Sequence, residues 1–413
     1  MTDAGTVATT APDPPGESTA GATATATSAA IATVQRGWRR LPASVREAVL
    51  PYLVARVVVL SALGLAHFIV DRTHPATVGV AARVHAGLLG WDAGWYETIA
   101  RVGYGPLGRQ SLRFFPAVPV LTHGLAWLGL GDGPTLVLLA NAAAFAATAM
   151  LYVLVRRETG SPDAARRAVW VLSLVPAAFV LVMGYAEAVL LVCALGCFLA
   201  LRPPDTSPDN RPHFAVAGLL AFAAALTRPV GVLLFLAVAS ELVRWWQRLG
   251  RNERGAGLAA VAAPFVGLLV FLGWSKHTVN DWWAPLRVQL QSSHHGGLAD
   301  PFVTLYDDAK GVLHHHVGTA LHVPWVLLAL AMLVVCWRRL PASYTLFAAA
   351  ALAVAVSGAN LDSFERYALA AFPLSVAAAL LMAQSEVERL VLTLLSAGLA
   401  GYALLAFLNM SVP

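Results

Sequence analysis

In the run Trp91-Asp92-Ala93-Gly94-Trp95-Tyr96-Glu97-Thr98-Ile99-Ala100-Arg101-Val102-Gly103-Tyr104, one carboxylate, Asp92, lies between two indoles. Trp91, Trp95, Ile99 and Val102 recur at i, i+4, i+8 and i+11, one face of a helix, and the aromatic residues suit the headgroup level of a membrane. The spacing predicts an interfacial helix with Asp92 at its opening. Partial desolvation there raises a carboxylate's proton affinity, which suits a general base. The alternative is an ordinary helix N-cap, and one residue can do both. Arg228 and Arg366 each stand at the end of an apolar stretch. A guanidinium in that place either forks onto phosphate oxygens or snorkels to lipid headgroups. Glu187 opens another apolar stretch, where an ionised group is costly unless paired. It either orients an arginine or an acceptor, or caps the helix.

The elements that position these residues belong to a membrane. Of 413 residues, 58% are hydrophobic and 12% charged, about half the charged share of a soluble domain. Mostly apolar stretches run near 49–70, 135–155, 167–183, 186–201, 213–227, 229–246, 257–275, 323–337, 342–358, 366–383 and 390–409. Their lengths approach the roughly 20 residues that a crossing helix needs. The expected fold is an all-α integral membrane bundle of about 11 transmembrane helices, with interfacial helices in a first outer loop. Residues 1–48 read as a cytoplasmic N-terminal tail, disordered through its Ala-, Thr-, Pro- and Gly-rich beginning, and 49–410 as the membrane domain. The tail lacks the apolar core of a cleavable signal, so the first span is expected to direct insertion itself.

Charge fixes the expected orientation. Arg36, Arg39, Arg40 and Arg46 ahead of the first span hold the N-terminus inside. Residues 114–130, FFPAVPVLTHGLAWLGL, are short for a crossing and carry Pro116, Pro119 and His123. If they lie in the interface, the clusters Arg156-Arg157, Arg166-Arg167, Arg248 to Arg254 and Arg338-Arg339 all become cytoplasmic; if they cross, all fall outside. The first arrangement gathers a loop at 71–134, the turns holding Glu187 and Arg228, a second loop at 276–322 and the turn before Arg366 on the extracytoplasmic side. The net charge of +5 is scattered between apolar spans, which excludes a nucleic-acid partner. Cys193, Cys197 and Cys336 lie within spans and indicate neither a disulfide framework nor a thiolate metal site.

WDAGWYETIARVGYG followed by RFFPAVPVLTHGL resembles the signature of the PIG-V-like mannosyltransferases, within the GT-C class of polyprenyl-phosphate-sugar glycosyltransferases. Tyr185-Ala186-Glu187 is similar to that family's Y-(S/A)-E turn, Ala225 to Gly231 to its arginine turn, and Arg366-Tyr367 with Phe372-Pro373 to its late arginine motif. Trp95-Tyr96 departs from the His-Phe usual in the eukaryotic members, a difference that bears on the acceptor. The resemblance implies a cell-membrane enzyme that moves mannose from polyprenyl-phosphate-mannose to a lipid-linked or protein acceptor at the extracytoplasmic face, with inversion. It implies Asp92 as base and Arg228 and Arg366 as holders of the departing phosphate. Trp91, Trp95 and Tyr96 would frame the sugar or acceptor, with Tyr185, Glu187 and Tyr367 binding or orienting substrate.

His294, His295, His314, His315, His316 and His322, with Asp300, Asp307 and Asp308, crowd the second loop, but their spacing matches no metal motif. No cofactor is expected, and a divalent ion assisting phosphate departure is the minor alternative. Two rivals from other classes are a carrier of polyprenyl-linked sugars and a non-catalytic glycosyltransferase subunit. Carriers place ionisable sites near the bilayer midplane, whereas here they fall at span ends. A non-catalytic subunit has no need of Asp92.

Overall fold

The computed structural model describes residue 2 and residues 40–72, 78–203, 211–291, 297–311, 321–359, 361 and 363–410. The chain divides into two units, Met1–Arg46 and Glu47–Pro413, and the second contains the candidate site residues. Among the described residues the protein is helical without a strand, apart from an isolated bridge between Leu298 and Gly358.

The helices are α1 (Ala43–Arg72), α2 (Val78–Ala86), α3 (Asp92–Val102), α4 (Ala117–Ala126), α5 (Asp132–Thr159) and α6 (Pro162–Leu174). Then come α7 (Glu187–Leu201), α8 (Phe214–Thr227), α9 (Leu234–Trp245), α10 (Arg251–Val279), α11 (Ala284–Gln289) and α12 (Pro301–Gly311). The chain closes with α13 (Val323–Arg339), α14 (Ala342–Val356), α15 (Phe364–Ala370), α16 (Pro373–Leu381) and α17 (Ser385–Phe407). Among the described residues, five helices are long and apolar enough to cross a membrane: α1, α5, α9 with its flanking turns (Pro229–Arg248), α10 and α17. A sixth is reached if α15 and α16, bent by 89° at their junction, form one broken span.

In α1, Ala48, Pro51, Ala55, Val59, Ala62, Ala66 and Val70 face inward at spacings of three or four residues. Leu53, Val57, Leu60 and Phe68 are exposed on the other sides. A helix apolar all round with only small residues inward is suited to a lipid surround. The pair α8 and α10 packs closely because of glycine: a Cβ on Gly218 would lie 2.8 Å from the Ala260 Cα, and one on Gly267 2.7 Å from the Phe222 carbonyl. That close approach fixes the end of α8, where Arg228 stands.

Four expectations are corrected. The stretch 167–183 is not one helix, since α6 stops at Leu174 and Pro176 opens a 3-10 segment to Leu181. The stretch 366–383 is likewise broken, at Ala371 and Phe372 ahead of Pro373. The second loop begins at Asn280 rather than at residue 276, because α10 runs on to Val279 and ends on Asn280 in the left-handed conformation that Asn tolerates. Finally, α3 buries Ala93, Tyr96, Ile99 and Ala100, while Val102 is exposed. The buried face is therefore set by packing on the bundle rather than by the Trp91, Trp95, Ile99 and Val102 stripe.

Residues 114–130 hold only the ten-residue α4, with Val118, Pro119 and Thr122 buried and Trp127 exposed. Ten residues rise about 15 Å, half the hydrocarbon thickness.

Candidate active site

Four polypeptide segments converge on Asp92. Its own helix starts abruptly: Trp91 is the N-cap, with φ 57 and ψ −128, a conformation rare for a bulky residue. Two contacts hold it there. The Trp91 indole Nε1 donates to the Ala406 carbonyl at 3.0 Å, and the Arg83 guanidinium lies 3.8 Å over its ring. The reading of Asp92 as N-cap is thereby corrected, since Asp92 is the first helical residue and its backbone N–H donates to the Tyr185 hydroxyl at 3.4 Å. The side chain is left for other partners.

Those partners are guanidiniums. Arg366 Nη1 donates to Asp92 Oδ2 at 2.6 Å, and Arg113 Nη2 to Oδ1 at 3.4 Å. Arg228 Nη1 bonds Glu187 Oε1, and the same oxygen lies 3.4 Å from Arg366 Nε. Arg366 Nη2 donates to the Tyr367 hydroxyl at 3.3 Å, and the Tyr367 ring lies 5.0 Å below the Arg228 guanidinium. Asp92 keeps 20% of its side chain exposed, while Arg366 keeps 8% and Glu187 3%. Arg366 Nε and Glu187 Oε2 are buried without a hydrogen-bond partner. Polar atoms left in that condition are costly.

Local sequence explains each placement. Glu187 is the first residue of α7, where a carboxylate is favoured by the helix dipole. Arg228 leaves α8 in an extended conformation because Pro229 follows it. The turn then folds tightly: Gly231 N–H donates to the Arg228 carbonyl at 2.9 Å, and a Cβ on Gly231 would meet the Ala224 carbonyl oxygen at 2.2 Å. Arg366 sits on the seven-residue α15, entered through Ser363 at φ 66.

The side chains of Asp92, Tyr96, Arg113, Arg228, Gln289, Arg366 and Tyr367 line one cavity of about 100 Å³. Burial works to raise the pKa of Asp92, but Arg366, Arg113 and Arg228 together outweigh it and hold the carboxyl below the ordinary range. The expectation of a raised proton affinity is corrected on this point, because the indoles are not its nearest neighbours. Burial pushes the Tyr96 phenol up, so it faces the cavity as a neutral group.

The structure thus brings together Asp92, Tyr96, Glu187, Arg228, Arg366 and Tyr367, with Tyr185 beneath. Trp91 and Trp95 do not line the cavity; Trp95 stacks on Phe114 with centroids 5.5 Å apart. Two lining residues escaped the sequence reading. Arg113 comes from the 3-10 segment Arg109–Arg113, and Gln289, from α11, donates to the Arg113 carbonyl at 3.5 Å. Arg113 stands directly before FFP, in a run already singled out, which was the available signal.

His294, His295, His314, His315 and His316 lie outside the described residues. Among the described residues no group of three or more His, Cys, Asp or Glu side chains is placed to share an ion. Lys276 Nζ donates to Asn280 Oδ1 at 2.7 Å and does not line the cavity.

No protein-family model matches the chain, and no curated protein matches it. Two solved structures with a partial likeness are of the oligosaccharyltransferase of Archaeoglobus fulgidus. The complex with Zn and sulfate has a TM-score of 0.41 and 13% identity, covering 76% of this chain and 48% of that one. The form tethered by a disulfide to an acceptor peptide containing the NVT sequon has a TM-score of 0.44 and 12% identity, covering 86% and 56%. The chain spans about half the length of the structures it matches.

Proposed function

We propose that the protein is an integral-membrane glycosyltransferase of the GT-C type, taking mannose from polyprenyl-phosphate-mannose and giving it to a lipid-linked or protein acceptor with inversion. The observation that carries this reading is one cavity in which a carboxylate, Asp92, is met by Arg113, Arg228 and Arg366, with Glu187 beneath. Three positive against two negative side chains leave an excess of one positive charge. That balance suits a sugar phosphodiester, which carries one negative charge.

In this reading the acceptor hydroxyl attacks the anomeric carbon on the face opposite the phosphate. The new C–O bond forms as the bond from that carbon to the phosphate oxygen breaks. The electron pair leaves on the phosphate, which gains a negative charge, and the hydroxyl proton passes to Asp92. Guanidiniums aimed at the phosphate stabilise the charge as it develops. A phosphate drawn among the three arginines also takes donors that otherwise serve Asp92, turning its lone pair to the acceptor.

The topology that fits is eleven crossings with the N-terminus in the cytoplasm and the cavity at the extracytoplasmic face of the cell membrane. Its support is the segregation of charge, because Arg156, Arg157, Arg248, Arg251, Arg338 and Arg339 lie at helix ends remote from the cavity lining.

The test is transfer of labelled mannose from polyprenyl-phosphate-mannose in membranes, wild type against Asp92→Asn at matched expression. Turnover should fall by on the order of 10² to 10⁴, the usual contribution of a positioned base. Near-normal transfer by the Asn variant would remove the base assignment. No transfer by the wild type from this donor would overturn the donor, and none from any lipid-linked sugar would overturn the reaction class.

A further inference from the structure

Arg366 is held from its cavity side by Asp92 and Glu187, but α15 is too short to orient itself. It has seven residues, enters through Ser363 in a left-handed conformation and ends at the 89° bend into α16. No helical continuity on either side fixes its rotation about its own axis.

On the face turned away from the cavity, α15 lines an apolar groove of about 500 Å³. There Glu365, the residue before Arg366, is nearly buried and fully engaged. His322 Nδ1 lies 2.9 Å from both of its carboxylate oxygens, and the Tyr402 hydroxyl donates to Oε1 at 3.0 Å. Side-chain exposure is 7% for His322 and 8% for Glu365. His322 caps the start of α13, and Tyr402 belongs to α17. Three elements are thus pinned at one carboxylate in a groove whose other lining residues are apolar, apart from Ser375 and the Trp325 indole. A buried carboxylate is costly unless its partners are well placed, so this cluster selects one rotation of α15 over others. Adjacent helical residues point about 100° apart. Fixing Glu365 therefore fixes where Arg366 emerges.

We propose that Glu365, clamped by His322 and Tyr402, is a positioning residue that holds the Arg366 guanidinium on Asp92. The clamp does no chemistry itself; it acts only through Arg366. As a role in catalysis this rests on the glycosyltransferase reading, so the experiment has one arm that needs no turnover.

The first arm is a double-mutant cycle in thermal stability on the purified full chain: wild type, Asp92→Asn, Glu365→Gln and the double variant. If Glu365 holds the guanidinium on Asp92, loss of Asp92 matters less once Glu365 is gone, and the Tm shift from Asp92→Asn should shrink by half or more. Additive shifts would overturn the proposal. Tyr402→Phe, which leaves the His322 pair intact, takes the place of Glu365→Gln if that variant does not fold, and the same non-additivity is required of it.

The second arm is the pH profile of kcat/KM for the donor. Asp92 is faced by Arg366 from α15, Arg113 from the 3-10 segment before α4, Arg228 from the end of α8, Tyr185 before α7 and Arg83 from α2. Removing the negative charge of Glu365 would by itself lower the acid limb. Loss of the Arg366 contact, the largest of the charges that hold the carboxyl down, moves it the other way, upward, with kcat/KM reduced on the order of tenfold. A loss of turnover with the limb unmoved or lowered would mean that Glu365 only maintains the fold and does not hold the Arg366 contact. If the wild type transfers no sugar while the stability cycle is non-additive, the function falls and the positioning role stands.

Discussion

Asp92 is ion-paired, and an ion-paired carboxylate is a weak base, so its chemistry depends on what relieves the pairing. Its depressed pKa means that the free enzyme keeps it ionised well below neutrality. The linked stability is present above the pKa of an unfolded aspartate and is lost as the pH falls through the folded value. For catalysis, kcat/KM reports the free enzyme and kcat the substrate complex. The acid limb of kcat/KM should lie below the range of an ordinary carboxylate. With a phosphate engaging Arg113, Arg228 and Arg366, the carboxyl loses donors and gains a negative neighbour, and both changes raise its pKa. The acid limb of kcat should therefore lie at higher pH than that of kcat/KM, which steady-state kinetics carried from neutrality to below about pH 4, the ordinary aspartate value, will reveal. Coincident limbs would mean that the arginines do not leave Asp92.

The arginines are separable from interface anchors by the shape of the cation. A bidentate phosphate contact needs the planar fork, whereas snorkelling needs only charge. Arg228→Lys and Arg366→Lys should each lower turnover by on the order of tenfold or more, with a smaller change in apparent donor KM, because the phosphate gains charge as the bond breaks. Wild-type turnover in both variants would make them anchors. Asp92, Glu187, Arg228 and Arg366 were legible in the sequence because Asp92 opens an aromatic helix and the other three are charges at the edges of apolar stretches. Arg113 and Gln289 were not, since their approach depends on α11 docking against the 3-10 segment at Arg109–Arg113. That docking is fastened by Arg109 on Asp281 and by Gln110 on Gln291, contacts between residues far apart in the chain.

At the scale of elements, the apolar stretches were readable from composition, and each holds helix over at least part of its length, 167–183 and 366–383 being broken. What composition did not disclose is where helices break inside an apolar run. Pro176, Pro229 and Pro373 each open a new turn within lipid-like sequence. At Arg228 and Arg366 those breaks set the chain at the cavity. The carbonyls that a break frees need donors from elsewhere. After α6 they are found in Arg56, which donates to the Leu181 carbonyl at 2.9 Å, and Asn141, which donates to that of Val182 at 2.8 Å. The turn bearing Arg228 has no slack. An added methyl on Gly231 would meet the backbone of Ala224 and Ala225, which cannot swing aside as a side chain would. Gly231→Ala should destabilise the protein by about 1–3 kcal/mol, in the manner of overpacking, and displace Arg228 with loss of transfer. Gly255→Ala, within α10 and with open space around its Cβ, should instead be neutral or stabilising by up to about 1 kcal/mol. Thermal melts of the two variants would check the opposite signs.

Across the membrane unit, two layers of paired charges stand at opposite ends of α7. One is the cavity, at the start of α7, the end of α8 and α15. The other lies at the opposite end of α7, where Arg202 meets Glu158 at 2.7 Å and Glu241 at 3.3 Å, and Ser343 donates to Glu241 at 2.8 Å. These contacts tie the ends of α5, α7 and α9 to the start of α14, while Arg167 joins α6 to Glu388 of α17 at 3.0 Å. The two layers are about 22 Å apart, the length of the 15-residue α7. That falls roughly 8 Å short of a hydrocarbon core. In the proposed reading, with the arginine-rich layer at one membrane surface, the cavity would be recessed beneath the other, within reach of the headgroup of a lipid-linked sugar. The surface flanking α4, with Trp127 and Leu128 exposed, then rests in the interface at that level. Cysteine scanning tests the orientation, and native background is low because Cys193, Cys197 and Cys336 are all buried. Cysteine in place of Pro106 or Thr278, exposed near the cavity end, should react with a membrane-impermeant reagent applied to intact cells. Cysteine in place of Asp163 or Gln247, exposed near the arginine-rich end, should react only after permeabilisation. The reverse pattern would put the cavity on the cytoplasmic side, and a mixed one would mean that residues 114–130 cross the bilayer.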